Sequence, residues 1–335
     1  MRRLTTLLVA LLLALPSLAF GQTVVIKLGT LAPDGSTWHK LLKEMGEKWS
    51  QASGGKTKLK VFPGGVAGNE SDMVRKMLVG GLDAASLTVV GLHDLETSPQ
   101  AIATPGLIRD DAEWEYVFTK MQPIWEQRLL AKGFVAVQWA DTGWVHMFFR
   151  KEVKGPAQMK GLKVLAWAGD PSSVKAWEVA GFQPVVISST DILTSLSTGM
   201  IDGLGMVPAI VFTARFYEQA KYMTEGSWGH LPGGTVVTRA TWEKIPAEAR
   251  PKLLEIAHEY GKRVNSVVAK MQEDAIAQMK KAGLVVIPFN DADRKLWTEM
   301  AEKTWPVLRG GSTSAEAFDE VKKVRDEYRA SKGMK

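Results

Sequence analysis

Residues 159–203 read MKGLKVLAWAGDPSSVKAWEVAGFQPVVISSTDILTSLSTGMIDG and carry the clearest structural signal in the chain. They predict the order strand, helix, strand, helix, strand. Leu162–Trp167 is an apolar run that suits a buried strand, and a helix then begins with Asp170 as its cap and Pro171 in its first turn. Gln183–Ile187 is rich in β-branched residues and is predicted as the next strand. Parallel strands bridged by helices place ligand sites at the carboxyl ends of the strands, so a site is expected there.

The residues around this expected site are mostly apolar. Leu165 and Trp167 stand at the end of the first strand of the stretch, and Met206 and Phe212 follow its last strand. Trp144 belongs to another predicted strand that borders the same region. Side chains of this kind either complete the hydrophobic core or line an apolar ligand pocket. Both interpretations stay open for these five residues.

The alternation of strands and helices extends along the rest of the chain. Val24–Leu31 is a predicted strand, Phe134–Ala140 and Trp144–Arg150 are two strands joined by the turn Asp-Thr-Gly, and residues 247–282 form one long helix. This alternation predicts an α/β fold with a largely parallel sheet. The 335 residues suffice for two domains, and the lack of a low-complexity linker predicts that crossing strands join them.

The first 21 residues have the pattern of a signal peptide. Arg2 and Arg3 precede the apolar run Leu4–Leu15, and small residues follow at Ala19 and Gly21. The run is short for a bilayer span, although a retained anchor is the alternative. The chain has no cysteine, which excludes lipid attachment through a thiol, disulfides and thiolate zinc sites. These features predict export to the periplasm.

Charge and motif content argue against several classes of function. The formal net charge is +6, with basic and acidic residues interspersed, so nucleic-acid binding is not expected. The five histidines do not pair at metal-ligand spacing, and neither G-x-S-x-G nor G-x-x-x-x-G-K-[ST] occurs. We therefore expect no metal, no cofactor and no enzymatic activity. The alternative is a periplasmic enzyme that uses His146 with Asp141 or Asp170 as acid and base.

Four polar residues have both a structural and a binding interpretation. Asn69 and Glu70 begin a predicted helix, where they suit the cap and the helix dipole. Asp170 suits the cap of its own helix, and His146 lies in a strand of aromatic and apolar residues. Each of the four is also a candidate for contact with a ligand in the cleft.

Several motifs in a fixed order resemble the solute-binding subunits of TRAP (tripartite ATP-independent periplasmic) transporters, the dicarboxylate-binding DctP-like family. The resemblance spans nearly the whole mature chain. The matching segments are Phe62–Gly68 (FPGGVAG), Gly80–Asp83 (GGLD), Met159–Lys163 (MKGLK), Thr194–Gly203 (TSLSTGMIDG) and Phe216–Glu218 (FYE).

The resemblance implies a two-domain periplasmic-binding-protein fold with a cleft between domains, crossing strands and a long domain-spanning helix. Domain I is expected at 22–143 plus 233–268, and domain II at 144–232 plus 269–335. A subunit of this kind captures a small ligand in the cleft and delivers it to membrane permease subunits, without catalysis.

One departure from the family pattern concerns the ligand. Most members carry an arginine that clamps a carboxylate where this chain has Leu165, and a polar residue in the region of Met206. A charge-assisted hydrogen bond contributes about 1.5–3 kcal/mol, so its loss is expected to weaken acid binding on the order of a hundredfold. We therefore expect a largely hydrophobic ligand.

Two further possibilities follow from the same comparison. An organic acid is the alternative ligand, held by a relocated arginine (Arg109, Arg150, Arg215 or Arg239) or by N–H groups at the start of the Asp170 helix. The stretch Ala166–Pro171, AWAGDP, is similar to a subgroup that works with a periplasmic tetratricopeptide-repeat partner. Such a partner is expected here as well.

Overall fold

The computed structural model describes residues 23–168 and 171–334, so the predicted signal peptide lies outside it. The strands are β1 Val24–Thr30, β2 Thr57–Phe62, β3 Ala84–Thr88, β4 Phe134–Phe149, β5 Lys163–Trp167, β6 Gln183–Ile187, β7 Gly203–Met206, β8 Tyr222–Thr238 and β9 Val285–Ile287. The helices are α1 Thr37–Ala52, α2 Glu70–Leu78, α3 Val89–Leu92, α4 Asp111–Ala131, α5 Pro171–Ala180, α6 Ile192–Thr198, α7 Pro208–Thr213, α8 Arg239–Lys244, α9 Arg250–Lys281, α10 Asp291–Glu302, α11 Trp305–Leu308 and α12 Ala315–Ser331.

The strands of the described residues form one continuous sheet in the order β2-β1-β3-β8-β4-β7-β5-β6, with β9 beside β8. At one end β1 pairs in parallel with β2 and β3, and at the other end β5 pairs in parallel with β6 and β7. Antiparallel pairs of β8 with β3 and β4, and of β4 with β7, join the two ends. The sheet therefore has two parallel α/β halves, which confirms the predicted two-domain α/β fold.

Two long strands cross from one half to the other. β4 has 16 residues and β8 has 17, and they pair along most of their length with several register shifts. The sequence predicts two strands where β4 is one, because Asp141-Thr-Gly143 has the composition of a turn. In the structure this segment is an irregularity inside the strand, where the Gly143 N–H donates to Asp141 Oδ1 at 2.6 Å.

The 32-residue helix α9 runs along both halves and packs against β4. Gly261 allows this close packing, because an added Cβ would lie 2.4 Å from the Trp139 carbonyl oxygen. Further along α9, Gln272 donates to the Thr142 carbonyl and accepts from the Ala209 N–H, both at 2.8 Å. One side chain of α9 therefore connects the crossing strand to helix α7 of the second half, as the prediction of a domain-spanning helix requires.

The hydrophobic core is divided between the two halves. Trp49 and Trp125 are fully buried on opposite faces of the first half, and Phe148 and Phe149 are buried in the second. The C-terminal helix α12 joins the same core cluster as Trp125. Its packing against α4 assigns it to the first half, whereas the sequence placed all of 269–335 in domain II. The other domain boundaries stay a prediction.

Candidate functional site

A cavity of about 340 Å³ lies between the two halves, where the carboxyl ends of β1, β3, β5 and β7 meet. The first half contributes residues from the starts of α1 and α2 and from the end of β3. The second half contributes the end of β5, the 3-10 turn after β6 and helix α7. The polar and aromatic members of this lining include Trp38, Asn69, Glu70, Thr88, Gln138, Trp167, Ser189, Thr190 and Tyr260. We call this space the larger chamber.

A second space of about 140 Å³, the smaller chamber, adjoins the first. The two chambers share Val90, Trp167, Met206 and Leu231 in their walls. The smaller chamber is also lined by Leu165, Trp177, Trp228 and His230. The rings of Trp177 and Trp228 stack with their centroids 5.1 Å apart, so much of this wall is aromatic.

The start of helix α2 forms one polar corner of the larger chamber. Asn69 caps the helix, because its side-chain oxygen accepts from the Asp72 N–H at 2.8 Å. The buried Glu70 carboxylate accepts from the Thr88 N–H at 2.6 Å and from the Thr88 hydroxyl at 2.7 Å. Burial raises the pKa of Glu70, and the hydrogen bonds from Thr88 oppose that rise without cancelling it. Among the described residues that line the larger chamber, Glu70 is the one acidic or basic residue.

The raised pKa of Glu70 predicts a pH-dependent stability. A carboxyl whose pKa is higher in the folded than in the unfolded chain stabilises the fold most at low pH, and that contribution declines as the pH rises above about 4.5. We expect the difference in the free energy of unfolding between the wild type and Glu70→Gln to become less favourable to the wild type as the pH rises above about 4.5. Urea unfolding at about pH 4.5, 6 and 8, followed by tryptophan fluorescence, measures the difference. The exposed Glu115→Gln is the control, and a constant difference for Glu70→Gln contradicts the prediction.

Five of the nine residues expected at the site line one or both chambers. Asn69 and Glu70 line the larger chamber, Leu165 lines the smaller one, and Trp167 and Met206 line both. Leu165 is only 2% exposed, packs in the core of the second half and is absent from the lining of the larger chamber. Contact of these residues with a ligand stays a prediction. Asp170 lies outside the described residues.

Trp144 and Phe212, which were candidates for an apolar pocket, and His146, which was a candidate for ligand contact in the cleft, are absent from the linings of both chambers. Trp144 donates its indole N–H to Asp111 at 2.6 Å. His146 is held 2.9 Å from the Thr224 carbonyl, and burial lowers its pKa. Phe212 stacks on a neighbouring tyrosine at the surface. His146 therefore does not reach either chamber in the described part of the chain.

Neither chamber has an arginine or lysine in its wall, as far as the described residues extend. The four arginines that we considered as replacements for the family's clamp, Arg109, Arg150, Arg215 and Arg239, are all absent from both linings. Arg215 pairs with Glu218 and Arg239 pairs with Glu243 at the surface. Within residues 23–168 and 171–334, none of these four arginines is therefore placed to bind a ligand in either chamber.

Four residues of the chamber walls were not expected from the sequence. Trp38, Gln138, Ser189 and His230 each have a buried polar atom with no hydrogen-bond partner among the described residues. Buried polar atoms without partners are rare in folded proteins and call for an explanation. These residues carry no local sequence signal, because each stands alone in a helix face, a strand or a loop.

Other kinds of site lack support in the described residues. They contain no group of three or more His, Cys, Asp or Glu side chains placed to hold a metal ion. None of the helices formed by residues 23–168 and 171–334 has the length and hydropathy needed to cross a membrane.

Known proteins with a related sequence or fold support a binding role. The 2,3-diketo-L-gulonate-binding periplasmic protein YiaO of Escherichia coli is 27% identical, with 78% of this chain and 79% of that protein covered. The C4-dicarboxylate-binding periplasmic protein DctP of Rhodobacter capsulatus is 24% identical, with 87% and 88% covered.

Solved structures of TRAP periplasmic solute-binding proteins share the fold. One from Desulfovibrio salexigens, with bound orotic acid, has a TM-score of 0.83 at 20% identity and covers 92% of this chain and 99% of that one. One from Pseudomonas putida, with bound D-glucuronate, has a TM-score of 0.81 at 21% identity and covers 90% and 96%. The family of bacterial extracellular solute-binding proteins, family 7 (DctP), matches residues 28–309, and the chain belongs to this family of TRAP transporter solute-binding proteins.

Proposed function

We propose that the chain is the periplasmic subunit that captures a small organic acid for a TRAP-type secondary transporter and delivers it to the membrane permease subunits. The observation that carries this proposal is the cavity between the two halves of a family-7 fold, lined by residues from both. The subunit binds and releases its ligand without chemical change. The pattern at residues 1–21 supports export to the periplasm.

The related structures favour an acid over the largely hydrophobic ligand expected from the sequence. Those from Desulfovibrio and Pseudomonas hold orotic acid and D-glucuronate, and one from Advenella mimigardefordensis holds galactonate. The acid ligand of this chain has to be held without the arginine clamp, because no arginine or lysine lines the described cavity. Trp38 and Ser189 are neutral hydrogen-bond donors in its wall.

A largely hydrophobic ligand is the second candidate. The observation that favours it is the number of apolar residues in the larger chamber, among them Leu31, Trp167, Met206, Ile210 and Phe216. Burying apolar ligand surface contributes about 25 cal/mol per Å², so a ligand with an apolar body fits this wall whether or not it carries an acid group.

Native mass spectrometry separates the two candidates. The full chain is expressed with its leader, purified from the periplasm without refolding, and the mass of any released ligand is determined. A co-purifying organic acid supports the proposal. A co-purifying ligand without an acid group overturns the acid assignment and supports the second candidate.

Closure of the two halves on the ligand is expected, because β4, β8 and α9 connect them and the cavity lies between them. Gln272 holds the crossing segment at Thr142 to helix α7 and is placed to keep the halves aligned. Small-angle X-ray scattering is expected to give a smaller radius of gyration for the ligand-loaded protein than for the ligand-free protein. An equal radius in both states contradicts closure.

A periplasmic tetratricopeptide-repeat partner remains a proposal from the AWAGDP stretch, two residues of which lie outside the described part. Affinity purification of the tagged chain from its native periplasm tests it. Recovery of a repeat protein in amounts comparable to the bait supports the partnership, and its absence from a crosslinked sample argues against it.

A further inference from the structure

The smaller chamber extends the cavity between the two halves into a wall that is largely aromatic and aliphatic. On the basis of the proposed function, we propose that this chamber is a subsite for one aromatic ring, so that the ligand is an aryl-substituted carboxylic acid. The ring lies in the smaller chamber. The remainder of the ligand, with its acid group, extends past Trp167 and Met206, which the two chambers share, into the larger chamber.

The wall of the smaller chamber offers flat apolar surface. The indoles of Trp177 on α5 and Trp228 on β8 stack with their centroids 5.1 Å apart and their planes 17° from parallel. Aliphatic side chains complete the wall, among them Pro105, Val145, Leu165 and Leu308. Aromatic rings in offset or edge-on contact with other aromatic rings gain more than the burial of their area alone provides. This wall therefore favours a flat apolar group of the ligand.

The tryptophan pair is held in place by its own neighbours. Trp228 is 7% exposed and packs against Trp297 with their centroids 4.8 Å apart, and the Trp297 indole N–H donates to the Ser227 carbonyl at 2.6 Å. Phe182 stands edge-on to both members of the pair, 5.3 Å from Trp177 and 6.3 Å from Trp228 between centroids. A surface that is already fixed by packing loses little conformational freedom when a ligand binds to it, which favours affinity.

The volume of the smaller chamber matches that of one ring. It measures about 140 Å³, and an engineered protein cavity of about 150 Å³ with an apolar wall binds benzene. The larger chamber, at about 340 Å³, has room for the remainder of such a ligand. Because Val90, Trp167, Met206 and Leu231 border both spaces, one molecule can occupy the two chambers together.

The charges in the two walls indicate which end of the ligand lies in which chamber. Among the described residues, the wall of the smaller chamber contains no Asp, Glu, Lys or Arg, and both ring nitrogens of its histidine, His230, are buried. A carboxylate buried there would lose its hydration without gaining a charged partner, whereas an aromatic ring gains by leaving water. The acid group is therefore assigned to the larger chamber, whose wall includes the polar residues Asn69, Ser71 and Thr190.

The test is calorimetric titration of the full mature chain with aryl acids and their ring-free counterparts. The pairs are phenylacetate and acetate, 3-phenylpropionate and propionate, and 4-phenylbutyrate and butyrate. At least one aryl acid is expected to bind on the order of tenfold to a hundredfold more tightly than its counterpart, because one ring is buried. A tert-butyl group on the ring, opposite the acid chain, overfills the chamber and is expected to weaken binding about tenfold or more.

A variant of the wall tests the same subsite from the side of the protein. Ala176 lines the smaller chamber on α5, and Ala176→Leu is expected to lower the affinity for the aryl acid about tenfold or more. Ala277→Leu places the same side chain at an exposed site of α9 and is the matched control, expected to bind as the wild type does. If Ala176→Leu does not fold, the effect of the tert-butyl group on binding to the wild type decides the same question.

The outcomes separate the failure of this inference from the failure of the proposed function, with D-glucuronate, D-galactonate and 3-phenylpropan-1-ol added to the panel. An aryl acid that binds no more tightly than its counterpart, or equally well to a folded Ala176→Leu or with the tert-butyl group, overturns the ring subsite and leaves acid binding standing. Binding of a sugar acid without binding of any aryl acid does the same. If the neutral alcohol binds as tightly as 3-phenylpropionate, the ring subsite is supported and the acid assignment is overturned. If no compound binds, the ring subsite is overturned, and native mass spectrometry alone decides the acid assignment.

Discussion

Replacement of Arg329 by methionine is expected to lower the free energy of unfolding by about 3–5 kcal/mol. Arg329 is a buried residue of α12, and its guanidinium forms a two-pronged ion pair with the buried Glu113 of α4, with Nη2 3.0 Å from Oε2. The same Nη2 donates to the Leu107 carbonyl at 3.2 Å. Removal of the cation leaves the Glu113 carboxylate buried without its partner, which is far costlier than loss of a surface pair.

Equilibrium urea unfolding of the two proteins measures this effect. Arg309→Met is the matched control, because Arg309 pairs with Asp319 at the surface, where solvent screens the interaction. The double variant Glu113→Gln/Arg329→Met is expected to recover part of the loss, since no charge then remains buried. A loss for Arg329→Met no larger than that for Arg309→Met contradicts the burial of the Arg329–Glu113 pair between α12 and α4.

Filling the larger chamber is expected to weaken ligand binding strongly without unfolding the protein. Ala140 lines the chamber on β4, and a tryptophan at this position occupies space that the ligand needs. We expect Ala140→Trp to reduce ligand affinity on the order of a hundredfold, equivalent to about 2.7 kcal/mol. The fraction of protein that carries co-purified ligand in native mass spectrometry gives the result directly.

Two comparisons make this result interpretable. Ala131→Trp places the same side chain at an exposed site outside both chambers and is expected to leave the ligand-bound fraction unchanged. The melting temperature of each variant shows whether the fold is intact. An intact Ala140→Trp protein that retains the wild-type ligand content shows that the ligand binds elsewhere.

Much of the fold is predictable because its signals are local. The strand and helix order around Gln183–Ile187 follows from apolar periodicity, and the Asn69 cap follows from one residue and its position. The crossing of β4 is not predictable in this way. Asp141 and Thr142 have the composition of a turn, and their extended path depends on hydrogen bonds to Asn265 and Gln272, more than 120 positions away.

The candidate site is predictable only in part for the same reason. Glu70, Trp167 and Met206 lie near the ends of elements that the sequence identifies, so their place in the cavity wall follows from the topology. Trp144 has the same apparent signal, but its indole turns to Asp111 of another element. His230 becomes part of the wall of the smaller chamber only when the fold brings β8 beside Trp114 and Asp141.

The ligand class shows where motif reasoning alone falls short. The leucine at the clamp position predicts a hydrophobic ligand, because it removes the family's arginine from the site. The related structures hold acids, and the proposal of an acid ligand rests on them, whereas the described walls of the cavity contain no arginine or lysine.

A crystal structure of the protein with its co-purified ligand tests most directly whether the chain binds an organic acid without a guanidinium clamp. We predict an organic acid in the cavity between the two halves, with no arginine or lysine nitrogen within about 4 Å of its carboxylate oxygens. A carboxylate bound by an arginine or lysine, or a ligand that has no acid group, contradicts acid binding without a guanidinium clamp.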